Sequence, residues 1–528
     1  MLRVLISDSL EQEGINILKQ EPEISVDVQT GLPEKELMKL IAGYEALIIR
    51  SGTKVTRSVI EAGKRLKVIG RAGVGLDNVD VEAASEHGVI VMNTPGGNTV
   101  STAEHTMSLI LSLARNIPQS SFSIRQGKWE RKQFLGVELC GKTLGVIGLG
   151  RIGSEVAKRA MAFGMKVTAY DPYLSKEKAA QLGIDLATFE ELLTRADFIT
   201  IHTPLTTDTQ YLFNEKTLQK VKRGVRIINC ARGGIIDEKA LAKAIQKGQV
   251  AGAALDVFEE EPPSNGNSLL QLDQVIATPH LGASTEEAQI QVAIEIANQV
   301  RDVLLGRAIV NAVNMPCVAP EVLKEIRPYL ELAEKLGSLE AQLVTGPIHQ
   351  VVIRYAGEVT HFDLAPVTVA VIKGILTPIL GETVNYVNAT LIAGNRGIKV
   401  IETKSTELKE FANFIAVEVE TDQGRNVLVG TLFTRNDSRI VRINNFHVDA
   451  IPSGYMLVIQ NLDKPGVVGH IGAVLGKNNI NIAGMTFGRN KVGGEAVSII
   501  NVDSEVPIHV QDEIRQSQNI LGVKLVKL

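Results

Sequence analysis

The sequence predicts an α/β protein with two doubly wound parallel-sheet domains, followed by an α+β domain and a small βαββαβ domain. Its 528 residues are too many for one hydrophobic core, and 45% apolar with 22% charged residues is typical of a globular chain. Short β-branched runs alternate with helix-period segments from Arg3 to about Asn93, and again from Lys142 to about Thr278. This alternation predicts two parallel sheets covered by helices.

Changes in the alternation predict the domain boundaries. Glu286–Leu305 has the period and length of a long helix that can return the chain to the first unit, so the first domain is predicted to be discontinuous. Pro316 and Pro320 flank a stretch that cannot continue a helix and predicts an exit linker. The predicted domains cover residues 1–97 with 288–315, 98–287, 316–452 and 453–528.

The last of these domains has the element order of a ferredoxin-like βαββαβ unit. Strand-like runs at Tyr455–Gln460, Ile480–Gly488 and Glu495–Val502 accompany a helical run at Val467–Lys477. The segment before it mixes helix-like and strand-like runs, and none of its motifs indicates a chemistry.

Composition and charge narrow the function classes. A net charge of -4 without a lysine or arginine block provides no field for a nucleic acid, and no long apolar segment predicts a membrane partner. The first residues run directly into a strand pattern rather than a secretory signal. Cys140, Cys230 and Cys317 are odd in number and lack metal-ligand spacing. We expect a cytoplasmic protein with free thiols and no metal.

A glycine-rich turn between a strand and a helix gives the strongest local signal. The strand-like run Thr143–Ile147 is followed by Gly148, Gly150 and Gly153, and then by a helical run. The first glycine permits a tight turn, the second lets a pyrophosphate approach the backbone, and the third lets helix and strand pack closely. This order predicts a Rossmann-like dinucleotide site.

Asp171 ends the next strand-like run, at the spacing where a carboxylate accepts hydrogen bonds from the adenosine ribose. A carboxylate repels a 2'-phosphate, and Pro172 and Tyr173 follow it instead of a neutralising arginine. The pattern therefore favours NAD over NADP. The competing interpretation is that Asp171 only caps the strand end in a turn.

An arginine, several acids and a histidine follow strand-like runs in the same half of the chain, where an open α/β sheet binds its ligands. His280 is the predicted base, since the pKa of histidine lies near working pH. Glu261, just before Pro262, would orient this imidazole and raise its pKa. The planar fork of Arg232 matches a substrate carboxylate. A surface ion pair is the alternative for Arg232 and Glu261.

Six other histidines are not predicted to be the catalytic base. His105 and His202 lie nearer the predicted site, and His202 could pack behind the cofactor. A structural or solvent-exposed role is expected for His87, His349, His361 and His509.

These motifs together resemble the D-2-hydroxyacid dehydrogenases. The ordered set is the glycine motif, Asp171, Ala231-Arg-Gly-Gly234, Phe258-Glu-Glu-Glu-Pro-Pro263 and Pro279-His-Leu-Gly-Ala-Ser284, within residues 1 to 315. The resemblance implies catalytic roles for Arg232, Glu261 and His280. It also implies NAD contacts from Val74, Gly148, Gly150, Arg151, Ile152, Gly153, Asp171, Thr203, Cys230, Ala231, Arg232, Asp256, His280, Gly282 and Ala283.

The segments Arg50–Thr56 and Gly70–Asp80 resemble the members of this family that oxidise (2R)-3-phosphoglycerate to 3-phosphohydroxypyruvate. A phosphate needs cations and donors. The predicted substrate residues are Arg50, Arg71, Asn98, Arg131 and Lys132, the last two in a connector that in the family can reach a partner's active site. Solvated surface charge is the alternative for Arg131 and Lys132.

Residues 454–528 resemble an ACT domain, a regulatory module that often binds amino acids. The resemblance implies L-serine as effector, held by Asn461, Asp463 and Asn481, although other members vary at the first position. Residues 316–452 resemble the intervening domain of the long form, which is proposed to bind an allosteric anion. A homotetramer or homodimer is implied.

Other functions remain open at this stage. A glyoxylate or hydroxypyruvate reductase of the same family would act without a phosphate on its substrate. A non-catalytic NAD sensor or corepressor, or an amino-acid-binding regulator, would show no turnover. Reduction of 2-oxoglutarate is a further side activity of some relatives.

Overall fold

Alternating strands and helices at the start of the chain form a five-stranded parallel sheet. The computed structural model describes residues 1–405, 413–434 and 437–528. The first elements are β1 (Leu2–Ile6), α1 (Gln12–Lys19), β2 (Ile24–Val28), α2 (Glu34–Ile41), β3 (Ala46–Ile49), α3 (Arg57–Ala62), β4 (Val68–Arg71), α4 (Val81–Glu86) and β5 (Ile90–Met92). Their strand order is β2-β1-β3-β4-β5. Strand β3 is buried along its whole length, as expected for a sheet covered on both faces.

A second, seven-stranded parallel sheet follows. Its elements are α5 (Thr99–Arg115), α6 (Ile117–Arg125), β6 (Thr143–Ile147), α7 (Arg151–Ala162), β7 (Lys166–Tyr170), α8 (Lys176–Gln181), β8 (Asp185–Leu186), α9 (Phe189–Arg195), β9 (Phe198–Ile201), α10 (Glu215–Lys220), β10 (Val225–Asn229), α11 (Glu238–Gln246), β11 (Val250–Leu255) and β12 (Val275–Ala277). The strand order is β12-β11-β10-β9-β6-β7-β8. The chain adds β7 and β8 on one side of β6 and then β9 to β12 on the other, so the topological switch point lies between β6 and β9. Ligands bind at such a switch point, outside the carboxyl ends of the strands.

Helix α12 (Glu286–Leu304) returns the chain to the first sheet. Its Ala293 carbonyl oxygen would lie 2.5 Å from a Cβ at Gly14 in α1, so the two helices touch closely. The chain thus crosses between the two lobes twice, near residues 93–98 and 282–286. The crossings lie close together, because the hydroxyl of Ser101, three residues after the first crossing, donates to the Gly282 carbonyl oxygen at 2.8 Å. Beyond α12, the Val313 amide pairs with the Val91 carbonyl at 2.9 Å.

A mixed sheet and three helices form the third unit. Its elements are α13 (Pro320–Leu343), β13 (Ile348–Ala356), α14 (Ala365–Leu380), α15 (Ala389–Asn395), β14 (Lys399–Ser405), β15 (Phe414–Thr421), β16 (Gly424–Thr434), β17 (Asp437–Ile443) and β18 (Phe446–Ala450), with strand order β14-β13-β15-β16-β17-β18. Helices α13 and α14 approach through glycines, since a Cβ at Gly337 would lie 2.1 Å from the Val371 oxygen. Residues 406–412 and 435–436 of the predicted third domain lie outside the described part.

The last unit is an antiparallel sheet with two helices. Its elements are β19 (Tyr455–Leu462), α16 (Val467–Lys477), β20 (Ile482–Arg489), β21 (Glu495–Val502), α17 (Ile508–Arg515) and β22 (Ile520–Lys527), in strand order β20-β21-β19-β22. Leu457 and Ile459 pack against the helices, whereas Met456 and Val458 join the core of the third unit. The free face of this sheet is therefore covered by the intervening domain.

The predicted fold class is confirmed: two Rossmann-like parallel sheets, an α+β unit and a βαββαβ unit follow one another. The domain boundaries stay predictions. Within the described residues, the model contains no helix with the length and apolar character needed to span a membrane.

Candidate active site

The glycine loop after β6 has the shape that a pyrophosphate requires. Gly148 has φ +85°, a conformation that favours glycine. A Cβ at Gly153 would lie 2.1 Å from the Gly148 carbonyl oxygen, so this glycine lets α7 approach β6. No atom lies within 4 Å of a Cβ at Gly150, on the open side. The backbone can thus meet a phosphate at the start of α7.

Asp171 lies beside this loop because β6 and β7 are in register, with Ile147 opposite Tyr170. Its carboxylate accepts hydrogen bonds from the Leu149 amide at 2.8 Å and the Tyr173 amide at 2.9 Å. A carboxylate has about four acceptor positions, so room remains for ribose hydroxyls. Asp171 therefore fits both the turn and the ribose interpretations.

Two buried polar atoms at the end of β9 have no hydrogen-bond partner within the described part of the chain. They are Thr203 Oγ1 and His202 Nδ1, while His202 Nε2 lies 2.9 Å from Thr200 Oγ1. Burial lowers the pKa of His202 to about 3, so this imidazole is neutral. At the end of the neighbouring strand β10, burial raises the pKa of the Cys230 thiol to about 12. Neutral groups and an unsatisfied hydroxyl line the path that a dinucleotide would follow, and the residues present fit such a cofactor.

His280 and Glu261 are in contact. His280 Nδ1 lies 2.7 Å from Glu261 Oε2, and the Phe258 amide donates to Glu261 Oε1 at 3.2 Å. The hydrogen bond to Glu261 raises the pKa of His280 and outweighs the opposing effect of burial. Burial would raise the pKa of Glu261, but the hydrogen bond from His280 and its charge lower it overall. With Nδ1 occupied, Nε2 remains to exchange a proton with a ligand.

Asp256 holds the loop that carries His280. It is 1% exposed, and its carboxylate accepts from the Leu281 amide at 2.7 Å and the Gly282 amide at 2.8 Å. The Thr278 hydroxyl lies 2.6 Å from Oδ1, and His105 Nε2 lies 3.1 Å from the same oxygen. Both carboxylate oxygens of Asp256 thus already accept hydrogen bonds from the protein. The predicted contact with NAD would have to use an oxygen that is already engaged. No sequence pattern links His105 or Thr278 to this carboxylate.

Arg232 reaches from the second lobe to the first. It follows β10, and its Nε lies 3.5 Å from Asp77 Oδ2. A Cβ at Gly75 would lie 2.3 Å from Arg232 Nη2, so the guanidinium lies against this loop. Asp77, which sequence reasoning missed, partly balances its charge. The arginine therefore stands in the cleft where a small anion would meet both lobes.

Arg50 and Arg71 extend this positive region. Burial lowers the pKa of Arg71, and the positive charges of Arg232 and Arg50 lower it further. All three arginines contact one loop: Arg71 lies against Gly73, Arg232 lies against Gly75, and the Arg50 carbonyl oxygen accepts from Asn78 Nδ2 at 2.7 Å. Arg71 Nε donates to Asn78 Oδ1 at 3.3 Å, and Arg50 Nη1 donates to Gln289 Oε1 at 3.4 Å. Neither bond uses a carboxylate. Such a cluster favours a ligand with two anionic groups.

Most of the remaining predicted cofactor residues surround this cleft. The Val74 carbonyl accepts from Asn93 Nδ2 at 2.6 Å, and the Ala231 amide donates to Asn229 Oδ1 at 3.0 Å. Arg151 and Ile152 open α7 directly after the glycine loop, and Ala283 follows the clamped Gly282.

The structure separates the last predicted substrate residues. Asn98 immediately precedes α5, and its Oδ1 is buried without a hydrogen-bond partner among the described residues. Arg131 and Lys132 are exposed in a 3₁₀ helix, Arg131–Phe134, which borders a pocket shared with Arg226. Arg226 lies at the amino end of β10, whereas the glycine loop follows the carboxyl end of β6. The connector therefore lies at the opposite end of the parallel strands from the glycine loop. Within one chain these two residues do not reach the cleft.

The predicted effector residues also lie apart. Asn461 is 4% exposed, accepts from the Ser498 hydroxyl at 2.8 Å and donates to the Leu462 carbonyl. The Gly493 amide and Arg489 bind Asp463 and lower its pKa. Asn481 donates to Asp503 at 2.6 Å, at the opposite end of the sheet. A single chain does not bring the three side chains together.

Comparisons with known proteins agree with this geometry. Residues 107–282 match the D-isomer specific 2-hydroxyacid dehydrogenase NAD binding domain, 325–444 the D-3-phosphoglycerate dehydrogenase intervening domain, and 455–517 the ACT domain.

The described residues contain no group of three or more His, Cys, Asp or Glu that could hold a metal.

Relatives extend the match to the whole chain. D-3-phosphoglycerate dehydrogenase of Synechocystis sp. is 47% identical over 100% of this chain and 95% of its own length. That of Bacillus subtilis is 45% identical over 100% of both chains.

Solved structures cover the catalytic portion. The TT0316 protein of Thermus thermophilus is 37% identical, with a TM-score of 0.55 over 59% of this chain and 100% of its own. Aquifex aeolicus D-lactate dehydrogenase, solved with NAD and lactic acid, is 31% identical, with a TM-score of 0.52 over 57% of this chain and 96% of its own. Full-length identity and three matching domains assign the chain to the D-3-phosphoglycerate dehydrogenase family of NAD-dependent D-2-hydroxyacid dehydrogenases.

Proposed function

We propose that this chain oxidises (2R)-3-phosphoglycerate to 3-phosphohydroxypyruvate with NAD, the first step of the phosphorylated route to L-serine. The observation that carries this proposal is the contact between Glu261 and His280, in a cleft where Arg232, Arg71 and Arg50 contact one loop of the first lobe. A proton acceptor and an anion site are the two features that a phosphorylated hydroxyacid needs.

Each residue has a defined part in the reaction. Arg232 binds the substrate carboxylate and polarises the oxygen on C2, while Arg50 and Arg71 bind the phosphate. His280 takes the hydroxyl proton at Nε2, and Glu261 holds Nδ1 and stabilises the imidazolium that forms. The chemistry that NAD supplies when bound is acceptance of the hydride from C2. The C2–O bond then becomes a carbonyl, and the proton leaves through His280.

The phosphate distinguishes this proposal from a glyoxylate or hydroxypyruvate reductase, which remains the second candidate. A reductase of unphosphorylated acids has no need of two further guanidinium groups beside Arg232. A distal carboxylate could take the place of the phosphate, so the same arginines would also accept 2-oxoglutarate for reduction.

Regulation by L-serine through the ACT domain is part of the proposal. Asp463 and Asn481 offer a carboxylate and an amide that suit an amino acid, but they lie at opposite ends of one sheet. An effector site that uses both therefore needs two copies of the chain, which supports a homodimer or homotetramer. Arg131 and Lys132 would then act in the partner's cleft.

The decisive experiment is NADH formation by the purified chain with D-3-phosphoglycerate, beside D-glycerate and NADP controls and with or without L-serine. Phosphate-dependent turnover with NAD supports the proposal. Turnover on unphosphorylated acids alone would favour the reductase. Absence of turnover with every 2-hydroxyacid would favour an NAD-sensing or amino-acid-sensing protein.

A further inference from the structure

A cavity of about 350 Å³ lies between the intervening domain and the ACT sheet, far along the chain from the catalytic cleft. The ACT sheet contributes the buried side chains of Val458 and Val497, and the third unit contributes Leu343 and Phe446. The third unit does not fully cover the face of the ACT sheet that packs against it, and the cavity is the gap that remains. Its walls are mixed: apolar side chains line one part, and Asn426, Asn444, Gln460, Arg515 and Lys524 line the rest. Its volume is in the range of sites for small metabolites.

Lys524 gives the cavity a positive charge without an acidic partner. Its ammonium donates to the Leu343 carbonyl oxygen and to Thr345 Oγ1, both of which are neutral. Within the described residues, no carboxylate forms an ion pair with it. Partial burial lowers the pKa of this lysine. A cation that has lost part of its water and gained only neutral acceptors favours an added anion.

A second cation at the cavity is already balanced. Arg515 Nη1 lies 2.5 Å from Asp512 Oδ1, and its Nη2 donates to the Val523 carbonyl at 2.7 Å. The net charge that the cavity offers is therefore close to one positive unit, from Lys524. A single carboxylate would match it.

Gln460 and Gly522 leave space beside this charge. The Gln460 side chain is exposed, and no hydrogen bond joins its side-chain amide to another described residue. A Cβ at Gly522 would meet only Gln460 Oε1, at 3.7 Å, so the space above the glycine is open. The Gln460 amide group can rotate to donate to an oxygen of a ligand held by Lys524.

We propose that this cavity binds a small organic carboxylate, with the carboxylate at Lys524 and Gln460 and a short apolar body against Val458, Val497 and Phe446. The apolar part of the lining, which includes Val458, Val497 and Phe446, favours an organic anion over strongly hydrated inorganic phosphate. Its binding would stabilise the contact between the ACT sheet and the intervening domain. The site is distinct from the proposed serine site, and it does not depend on the catalytic proposal.

Calorimetric titration of the full chain with isovalerate tests this inference, with isoamyl alcohol and inorganic phosphate as ligand controls. We expect Lys524→Met to weaken isovalerate binding by about tenfold or more, because a charge-assisted hydrogen bond is lost. Gly522→Leu should remove binding by filling the cavity. Lys527→Met is the matched control: the same strand carries this lysine, whose ammonium lies 5.3 Å from the Tyr455 ring.

Hydrogen exchange locates the ligand independently of turnover. Added isovalerate should slow amide exchange in β18, β19 and β22 of the wild type and of Lys527→Met, but not in the cavity variants. Equal binding by all four proteins would overturn the proposal, as would equal weakening in Lys527→Met. Binding of isoamyl alcohol or phosphate as tight as that of isovalerate would also contradict it.

Discussion

His105 Nε2 lies 3.1 Å from Asp256 Oδ1, and this contact joins α5 to the carboxylate that follows β11 and holds the His280 loop. The same carboxylate clamps the Leu281 and Gly282 amides. The position of the proposed base therefore depends on a buried acid that need not touch the substrate. Removing the Asp256 carboxylate should therefore lower both the rate of the reaction and the stability of the fold.

Asp256→Asn should lower kcat/KM by about 10-fold to 100-fold, because an amide has one acceptor oxygen and its NH2 group would face a backbone donor. Burial would raise the pKa of Asp256, but the hydrogen bonds from His105 and Thr278 lower it overall. Its contribution to stability is thus present above the unfolded-state pKa and lost as pH falls through the folded-state pKa.

Kinetics and urea unfolding from neutral to acid pH check this prediction. Asp256→Asn should flatten the loss of stability with acid, while Asp208→Asn, on an exposed loop, serves as the control. Unchanged kcat/KM and an unchanged acid slope in Asp256→Asn would rule out the clamp.

Glu261→Gln should shift the acid limb of the kcat/KM profile for oxidation to lower pH. His280 must be neutral to accept a proton, and its pKa is raised mainly by the hydrogen bond to Glu261. Removing that charge lowers the pKa, so the neutral form persists to lower pH, while the maximal rate falls because the imidazolium loses its partner. A profile with an unmoved acid limb would argue against the pair.

His280→Asn tests the base directly. His280 has φ 55°, a conformation that asparagine tolerates, so this variant should keep the loop. Turnover should fall by about 10²-fold to 10⁴-fold while NADH binding, followed by fluorescence, changes little. Near-normal turnover would remove His280 from the mechanism.

Gly150→Ala should weaken NAD binding by about tenfold while the protein folds normally. A Cβ at Gly150 meets no protein atom within 4 Å, but it occupies the side from which a pyrophosphate approaches. Gly266→Ala is the matched control, since its Cβ is equally unhindered. Equal NAD affinity in both variants, measured by titration, would place the cofactor elsewhere.

Arg71→Gln should raise KM for D-3-phosphoglycerate by about 10-fold to 100-fold and change KM for D-glycerate little. The reason is that Arg71 is partly buried and, with Arg50, is assigned to the phosphate. Arg57→Gln, which breaks an exposed pair with Glu86, is the control. Equal effects on both substrates would assign Arg71 to the carboxylate or to folding.

The sequence predicts best what is adjacent along the chain. The strand, glycines and helix from Thr143 to Phe163 follow one another directly, and the alternation of elements predicts the confirmed fold class. The contact between His105 and Asp256 spans 151 positions, and that between Arg232 and Asp77 joins two lobes. No local pattern encodes such pairs, because the packing of separate elements creates them.

Some of the predicted site residues are not brought together within one chain. Arg131, Lys132 and Asn481 are expected beside ligands because of the family resemblance, which for Arg131 and Lys132 includes a partner's active site. The connector lies at the amino ends of the strands, and Asn481 lies at the opposite end of its sheet from Asp463. Strand direction sets these positions, and a motif does not specify it.

The paired crossings near residues 93–98 and 282–286 form a narrow waist between the two lobes. The Ser101 hydroxyl, three residues after the first crossing, donates to the Gly282 carbonyl oxygen at the start of the second and so couples the two segments. Two short connections at one place favour rotation of the lobe with Arg71 toward the lobe with Gly150 as the motion that closes the cleft. Since the second crossing begins at the clamped Gly282, closure of the cleft would carry the His280 loop with it.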